Sequence, residues 1–380
     1  MNDTMDLDNF EPVARIVVIG VGGAGNNAVN RMMDEHIDNV DFYVLNTDKQ
    51  ALATSKAPNR IVIGEEVTQG LGAGGNPAVG KAAAEQSSEE IRAIVKGANM
   101  VFIAAGMGGG TGTGAAPVVA SIAKEEGALT IAIVTRPFTF EGKTRIANSV
   151  SGLGELKDAV DSIIIVSNDK LLMASGGVPI SQAFSESDRV LAQSVKTVTD
   201  LILLPAVINL DFADVKSTLK GSGIALIGFG MGSGDHKAED AAENAINSPL
   251  LEASIAGARR AIVSVTCGSN VTLYEANECV NRIIEQAGNA VDIKFGVSIN
   301  DQLEDTILVS VIASDFTEDF DFTSVPTFTR PKRETVGNGV DEARANAVKK
   351  EREEEKNNGE DEESSKDKFL PNFFSGKFDN

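Results

Sequence analysis

The chain has 380 residues, 55 acidic and 34 basic side chains and a formal net charge of −21. That length predicts two or three domains with a sizeable core, and the acidic balance argues against nucleic acid as a partner, since phosphate neutralisation takes a basic surface. No apolar run nears the ~20 residues of a membrane span, Met1 to Asn9 lacks the apolar region of a secretory signal, and Cys267 and Cys279 alone are too few for a disulfide framework. The two histidines, His36 and His236, stand apart, which weakens a histidine metal site or triad. The expectation is an acidic cytoplasmic protein with no direct membrane insertion and no protein-only metal site.

In chain order, Ala14 to Ile19 is an apolar, β-rich run ending in glycine, and Ala28 to Met33 has helical character. Asp41 to Leu45, Met100 to Ala105, Leu129 to Thr135 and Ser162 to Ser167 read as further strands. Pro77 to Lys96, Pro117 to Glu126 and Ile146 to Lys157 read as the helices between them. Unbroken apolar strands alternating with helices predict an α/β fold with a parallel sheet covered on both faces. Gln182 to Leu203 is one amphipathic stretch, long enough for a central helix. Beyond it, Ile224 to Gly228, Arg260 to Thr266, Asp292 to Ile299 and Thr306 to Ile312 read as strands with few helices between them, a smaller mixed α+β domain. From Thr317 the composition turns charged and Asn-rich, including Lys349 to Lys356 and Glu360 to Glu363. Such a segment buries too little apolar area to offset chain entropy, so a disordered acidic linker is expected.

Glycine carries the chemistry. Gly20 to Gly25 follows the first strand and opens the first helix, matching G-x-G-x-x-G. Backbone N–H groups at a helix N-terminus favour a phosphate there. Asp48, just past the second strand, stands where a dinucleotide fold places its ribose acid, so an NAD-dependent oxidoreductase is one reading. A second glycine stretch, Gly106 to Gly114, follows the third strand and opens another helix, and the dinucleotide fold has no need of it. Two such turns on one sheet can enclose a compact polyphosphate through main-chain N–H groups and threonine hydroxyls. Gly75 to Ala82 imitates a P-loop, but Ala82 replaces the hydroxyl that would hold Mg²⁺ and no apolar strand leads into it. Lys81 then reads as a solvated helix residue, and Gly70 to Asn76 as a further loop near the nucleotide.

Gly108 to Gly114 reads G-G-G-T-G-T-G, and with Phe102 to Met107 it closely resembles the FtsZ family of bacterial, tubulin-like division GTPases. The resemblance spans roughly residues 13–316 and includes Gly20 to Asn27, Asn46 to Asp48, Gly70 to Pro77, Arg136 to Arg145, Asn168 to Lys170 and Asn209 to Asp214. It implies a tubulin-like fold: an N-terminal tail over 1–12, a GTP-binding domain over 13–180, a central helix over 181–204 and a GTPase-activating C-terminal domain over 205–316. It also implies a linker over 317–368 and a partner-docking peptide over 369–380. The implied activity is GTP hydrolysis to GDP and phosphate, coupled to head-to-tail filaments that organise the division ring at midcell.

The resemblance assigns phosphate contacts to Gly23, Ala24, Gly25, Asn26 and Asn27, and to Gly109, Gly110, Thr111 and Gly112. Glu141 and Arg145 would lie near the ribose and phosphates; without the resemblance they read as a surface i,i+4 pair. Asn168 and Asp188 would read the guanine edge, with Phe184 against the ring face, although a Phe at helical spacing is more often core. Asn209, Asp211 and Asp214 would enter the neighbouring copy's site, where the carboxylates polarise a water opposite the γ-phosphate and Mg²⁺, held mainly by nucleotide phosphates, offsets charge. Read alone, these aspartates are ordinary helix caps. Ser167 stands where the family usually has proline, and Leu204-Pro205-Ala206 replaces its usual Arg-Pro-Gly.

Two tail segments compete as the docking peptide for membrane-tethering and regulatory division proteins. Val325 to Arg330 resembles the family's terminal peptide but departs at Ser324 and Thr329 and has almost no linker before it. Leu370 to Phe374 matches less well, since Ser375 falls where a basic residue belongs. It nevertheless lies behind an extended, self-repelling tether and offers Phe369, Phe373, Phe374 and Phe378 as anchors. The terminal segment is the expected peptide.

Overall fold

The computed structural model describes residues 14–175, 179–204, 206–288 and 290–316. A parallel set is formed by β1 (Ile16–Val21), β2 (Asp41–Asn46), β3 (Asn59–Val62), β4 (Met100–Gly106), β5 (Leu129–Arg136) and β6 (Ser162–Ser167). Every residue of β1, β5 and β6 is buried, which explains their unbroken apolar text: helices cover both faces. β7 (Gly223–Ser233) continues the sheet by pairing parallel to β6 at Gly223 to Ala225. Its remaining residues pair antiparallel with β10 (Thr306–Phe316), which pairs with β8 (Ala258–Cys267), and β9 (Asp292–Ile299) closes the edge parallel to β8. The ten strands thus run in the order β3-β2-β1-β4-β5-β6-β7-β10-β8-β9.

Helices α1 (Gly22–Asp34), α2 (Lys49–Ala53), α3 (Glu65–Thr68), α4 (Pro77–Gln86), α5 (Ser88–Val95), α6 (Thr111–Glu125), α7 (Lys143–Ala159) and α8 (Asn168–Ser175) accompany the parallel strands. The expected central helix is α9 (Ile180–Leu203), followed by α10 (Phe212–Leu219). Its apolar stripe of Val190, Leu191, Val195 and Val198 packs in one cluster with Val18, Phe102, Ile131 and Val166 on one side of the chain's midpoint and Ile227, Ile262 and Ile312 on the other. One core therefore serves both parts.

Three differences from the sequence reading have physical causes. The stretch expected as a single helix from Pro77 to Lys96 breaks at Ser87, whose hydroxyl accepts from Gly64 N (3.1 Å) and so leaves the helix for a neighbouring turn. Helix α6 begins at Thr111, not Pro117. Glycine is a poor helix former, but a Cβ on Gly114 would overlap the Pro77 carbonyl, so close packing on α4 requires glycine there. Finally, α11 (Lys237–Ile246) and α12 (Leu273–Ala287) lie between strands where few helices were expected. Signals for both exist. Gly228, Gly230 and Gly232 alternate along one face of β7 and let α11 lie directly on it, since their Cβ atoms would overlap the carbonyls of Ala245, Ala241 and Lys237. Thr272 and Glu275 form a reciprocal capping box at the start of α12.

These glycines separate two kinds of substitution. Gly230→Ala is expected to lower unfolding stability by about 1–3 kcal/mol through overpacking against α11. Gly154→Ala, inside α7 with nothing within 4 Å of the added carbon, is expected to raise it by about 0.5–1 kcal/mol. Denaturant titration of the two variants checks both signs.

Candidate active site

The carboxyl ends of β1, β4, β5 and β6 are in register, with Val21 opposite Ala105, Gly106 opposite Thr135 and Arg136 opposite Ser167. Their loops therefore converge on one edge. In the first turn, Gly22 has φ +72°, and a Cβ there would sit 2.8 Å from the amide nitrogen of Gly112. A Cβ on Gly25 would overlap Ala104 O, so this glycine serves helix-to-strand packing. Gly23 has nothing within 4 Å of the equivalent position, and Asn27 is exposed, so these two face open space. The Ala24 methyl lies against Gly106, joining the two turns. Asn26 is buried; with its amide nitrogen toward the carbonyls it donates to Gly20 O (3.2 Å) and Gly22 O (2.9 Å), bracing the turn.

In the second turn, Gly108 has φ +108° and its N–H donates to Thr113 Oγ1 (2.7 Å). Gly109 faces open space, whereas Gly110 is packed on Ala73 and Asn76. Thr111 Oγ1 lies 2.7 Å from Thr47 Oγ1, and Gly112 abuts the first turn. Neither α1 nor α6 has a side-chain cap or an acidic residue in its first turn. Elsewhere in this fold, α10 and α12 are capped and carry acids at that position. Two adjacent helix N-termini with uncapped N–H groups and no competing carboxylate form an anion site.

The loop Gly70 to Asn76 is held against Thr47 and the second turn. Gly72 N donates to Thr47 O (3.0 Å), and Asn148 Nδ2 donates to Gly75 O (3.3 Å) and Gly108 O (3.4 Å). Asp48 Oδ1 caps α2 through Gln50 N (2.8 Å) and Ala51 N (3.3 Å), so one oxygen of its carboxylate serves its own helix. Lys81 pairs with Glu155 at 3.1 Å, which raises its pKa, and Gly80 is packed against the Gly110 carbonyl. The P-loop-like string is a helix contact.

On the other flank, Asn168 is buried and its Oδ1 accepts from Ser187 Oγ (2.8 Å). Phe184 is 41% exposed and meets the buried Phe138 edge-on at 5.1 Å; Phe140 stacks on Phe138 at 4.8 Å. Glu141 Oε1 accepts from Phe138 N (2.9 Å), and its Oε2 pairs with Arg145. Asp188 has its pKa pushed up to about 7 by burial, against the opposing pull of Arg31. Thr47, Asn148, Ser187, Phe138 and Phe140 were not singled out from sequence. Asn148 had a signal, since Glu141, Arg145 and Asn148 follow helical spacing.

Asn209, Asp211 and Asp214 are elsewhere. Ser187 on α9 touches the base flank, and the sixteen residues from there to Leu203 span about 24 Å. Past that far end, Ile208 bridges to Val297, and Gly296 lies beside Leu201, Leu210 and Ile208. Asn209 Oδ1 accepts from Ala206 N (2.6 Å), shaping the turn. Asp211 caps α10 through Asp214 N (2.8 Å), and Asp214 Oδ2 accepts in return from Asp211 N (3.4 Å). Leu204 is half exposed; Pro205 and both tail peptides, Val325 to Arg330 and Leu370 to Phe374, lie outside the described residues.

The half-buried acid gives a pH test. In the empty protein Asp188 is protonated below about 7 and ionised above it. In the guanine role that the resemblance implies for Asp188, the carboxylate could accept from both N1–H and the amino group, and the acid cannot fully match them. Nucleotide affinity is therefore expected to fall as pH drops below about 7. Because the folded-state pKa is raised, ionised Asp188 costs stability that grows as pH rises from the unfolded value towards 7 and is fully present above it. Asp188→Asn is expected to bind guanine nucleotide more weakly with no such pH dependence, yet to stabilise the empty protein at about pH 8 by about 1–3 kcal/mol. Binding isotherms and melting curves against pH read both effects.

Comparison with known proteins agrees with this geometry. Residues 15–176 match the Tubulin/FtsZ family GTPase domain, and residues 223–317 match the FtsZ family C-terminal domain. An empty FtsZ dimer structure from M. jannaschii is 43% identical with a TM-score of 0.76, covering 79% of this chain and 88% of that one. A point-mutant structure of M. jannaschii FtsZ gives 43% and 0.76, covering 80% and 91%. GDP-bound CetZ1 from Haloferax volcanii, at 20% identity and TM-score 0.70 over 80% of this chain and 95% of its own, shares the fold. So does a GTPγS-bound CetZ2 protofilament from the same organism, at 22% and 0.70 over 89% and 99%. With two apposed uncapped glycine turns for the phosphates and matches across both parts of the chain, this protein belongs to the FtsZ family of tubulin-like GTPases.

Proposed function

We propose that copies of this chain associate head to tail and hydrolyse GTP at each junction, forming filaments that organise the cytoplasmic division ring at midcell. The observation that carries this reading is the separation along α9 of Ser187, which bonds Asn168 at the end of β6, from Asn209, Asp211 and Asp214. One molecule cannot bring the two together, so the site is completed by a second copy in a heterologous, non-closing contact. The dimer and protofilament described for the FtsZ and CetZ relatives support such self-association.

In this scheme Gly23, Ala24, Gly25, Asn26 and Asn27 and the N–H groups of Gly109 to Gly112 receive the phosphates, with the Thr111 hydroxyl beside them. Glu141 and Arg145 lie at the ribose, Asn168 and Asp188 read the guanine edge, and Phe184 flanks the ring. Among the described residues no group of three His, Cys, Asp or Glu can hold a metal unaided. A Mg²⁺ would be held mainly by nucleotide phosphates, where it would offset their charge. The incoming Asp211 and Asp214 orient and polarise the attacking water, with Asn209 fixing the turn that presents them. Their capping bonds occupy one oxygen of each carboxylate and aim the other, so structure and chemistry do not compete.

No helix among the described residues is long and apolar enough to cross a membrane. Recruitment to a membrane is assigned to the terminal peptide, through tethering and regulatory division proteins. Deleting 369–380 is expected to leave GTP hydrolysis intact and abolish recruitment to adaptor-bearing vesicles; recruitment that survives this deletion but fails in Phe328→Ala would move the peptide to Val325–Arg330. Asp211→Ala is expected to slow turnover by about 100-fold or more while the monomer keeps its GTP affinity. Specific activity of the unaltered chain should rise with its concentration. Lost GTP binding in Asp211→Ala, or activity flat across the assembly range, would refute the shared site. Sedimentation with GTP, with and without Mg²⁺, reads the assembly itself.

A further inference from the structure

We propose that Lys170 is a positioning residue for guanine recognition, clasped to the Leu250–Glu252 segment so that the C-terminal part of the chain sets the selectivity of its own copy's nucleotide site. This rests on the guanine reading of Asn168 and Asp188 given above. Asn168, Asp169 and Lys170 are consecutive at the start of α8, and each holds a different segment. Asn168 accepts from Ser187 on α9, while Asp169 Oδ1 accepts from Thr139 N (3.0 Å) in the loop that presents Glu141. Lys170 Nζ donates to Leu251 O (2.8 Å) and Glu252 O (2.9 Å).

The clasp has an electrostatic half as well. Glu252 Oε2 lies 3.7 Å from Lys170 Nζ and 3.9 Å from Arg136 Nη1. Arg136 ends β5 and leads directly into the Pro137–Glu141 loop. One carboxylate thus sits between cations from the two segments that flank the base. Its other oxygen is buried without a hydrogen-bond partner, so charge rather than a hydrogen-bond fork holds it there. The platform is firm, because Leu250 and Leu251 are 7% and 8% exposed, and Leu250 belongs to the cluster containing Leu171, Val190 and Leu191. A hydrogen-bonding reader must be held to within about 0.5 Å to discriminate. The first turn of α8 carries Asn168, and Lys170 pins that turn to the C-terminal part of the fold.

The test compares GDP with IDP, which lacks guanine's exocyclic amino group, by equilibrium binding to the full chain below its assembly concentration. Lys170→Met keeps the stem and removes the donors. It is expected to weaken GDP binding about tenfold and IDP binding less, so that the preference for GDP shrinks by about threefold or more. Lys170→Arg, which keeps donors, should stay within about twofold of the unaltered chain. Glu252→Gln should show an intermediate loss of the same preference. An unchanged preference in Lys170→Met, including an equal loss for both nucleotides, overturns the proposal. Should Lys170→Met fail to fold, an unchanged preference in Glu252→Gln overturns it. If the unaltered chain itself does not prefer GDP, the guanine reading falls, and the clasp falls with it; a preference present in the unaltered chain and kept in the variants refutes the clasp alone.

Discussion

Backbone meets backbone where the turn after β1 abuts the start of α6. A side-chain carbon on Gly22 would lie 2.8 Å from the Gly112 nitrogen, and one on Gly106 would lie 2.6 Å from the Ala24 methyl. Two helix N-termini, each uncapped, are thereby held side by side. Their N–H groups would repel any arrangement that left them facing apolar protein, since unpaired buried donors are costly. At Gly23 and Gly109 a side-chain carbon would meet nothing within 4 Å, so the two turns open onto free space there. A polyphosphate satisfies both termini at once, which a single glycine turn cannot do. The rest of the fold keeps this contact in place: α4 presses on α6 through Gly80 and Gly114, and Thr47 links β2 to Thr111.

The base flank shows the opposite economy. There the protein half-buries a carboxylate, Asp188, at the expense of its ionised form. An acid whose desolvation outweighs the pull of Arg31 is unfavourable for the empty fold. On the proposed guanine reading, stability and recognition pull in opposite directions at that residue. Asn168 shows no such tension, because Ser187 already occupies one of its acceptor positions and fixes the amide.

Much of this was legible in the sequence because the deciding signals are local. Strand ends were within two or three residues for β4, β5, β6 and β9, whose apolar runs stop at glycine or polar residues. The glycine turns announced themselves by spacing, and Asp211 with Asp214 by capping distance. What escaped was tertiary. α11 depends on three alternating glycines of β7 that matter only once a helix lies across them. The helical start of α6 contradicts glycine's propensity and follows from α4 packing. Asn148 and Ser187 act across 73 and 19 residues of sequence respectively, distances at which no periodicity gives warning. The i,i+4 pairing of Glu141 with Arg145 was legible, but the bond from Phe138 N that orients Glu141 was not.

α9 joins these parts and also divides them. Twenty-four residues of continuous helix measure about 36 Å, and the stripe that packs on β4 and β5 also packs on β7, β8 and β10. Such a rod cannot shorten, and its burial on both sides prevents it from swinging its far end toward its own phosphate turns. The Asn209–Asp214 segment is further tied down by the Ile208–Val297 bridge and by the bond from Arg260 to the Ser217 carbonyl. A chain built this way holds two pre-oriented carboxylates, the exposed Asp211 and the half-buried Asp214, past the end of one rigid helix far from its Ser187–Asn168 contact. On the proposed reading the uncapped glycine turns and these carboxylates do not meet within a monomer, and a heterologous contact with a second copy joins them. In that proposed head-to-tail contact each added copy leaves one new anion site and one new carboxylate pair at the ends, so growth would regenerate the geometry that permits it.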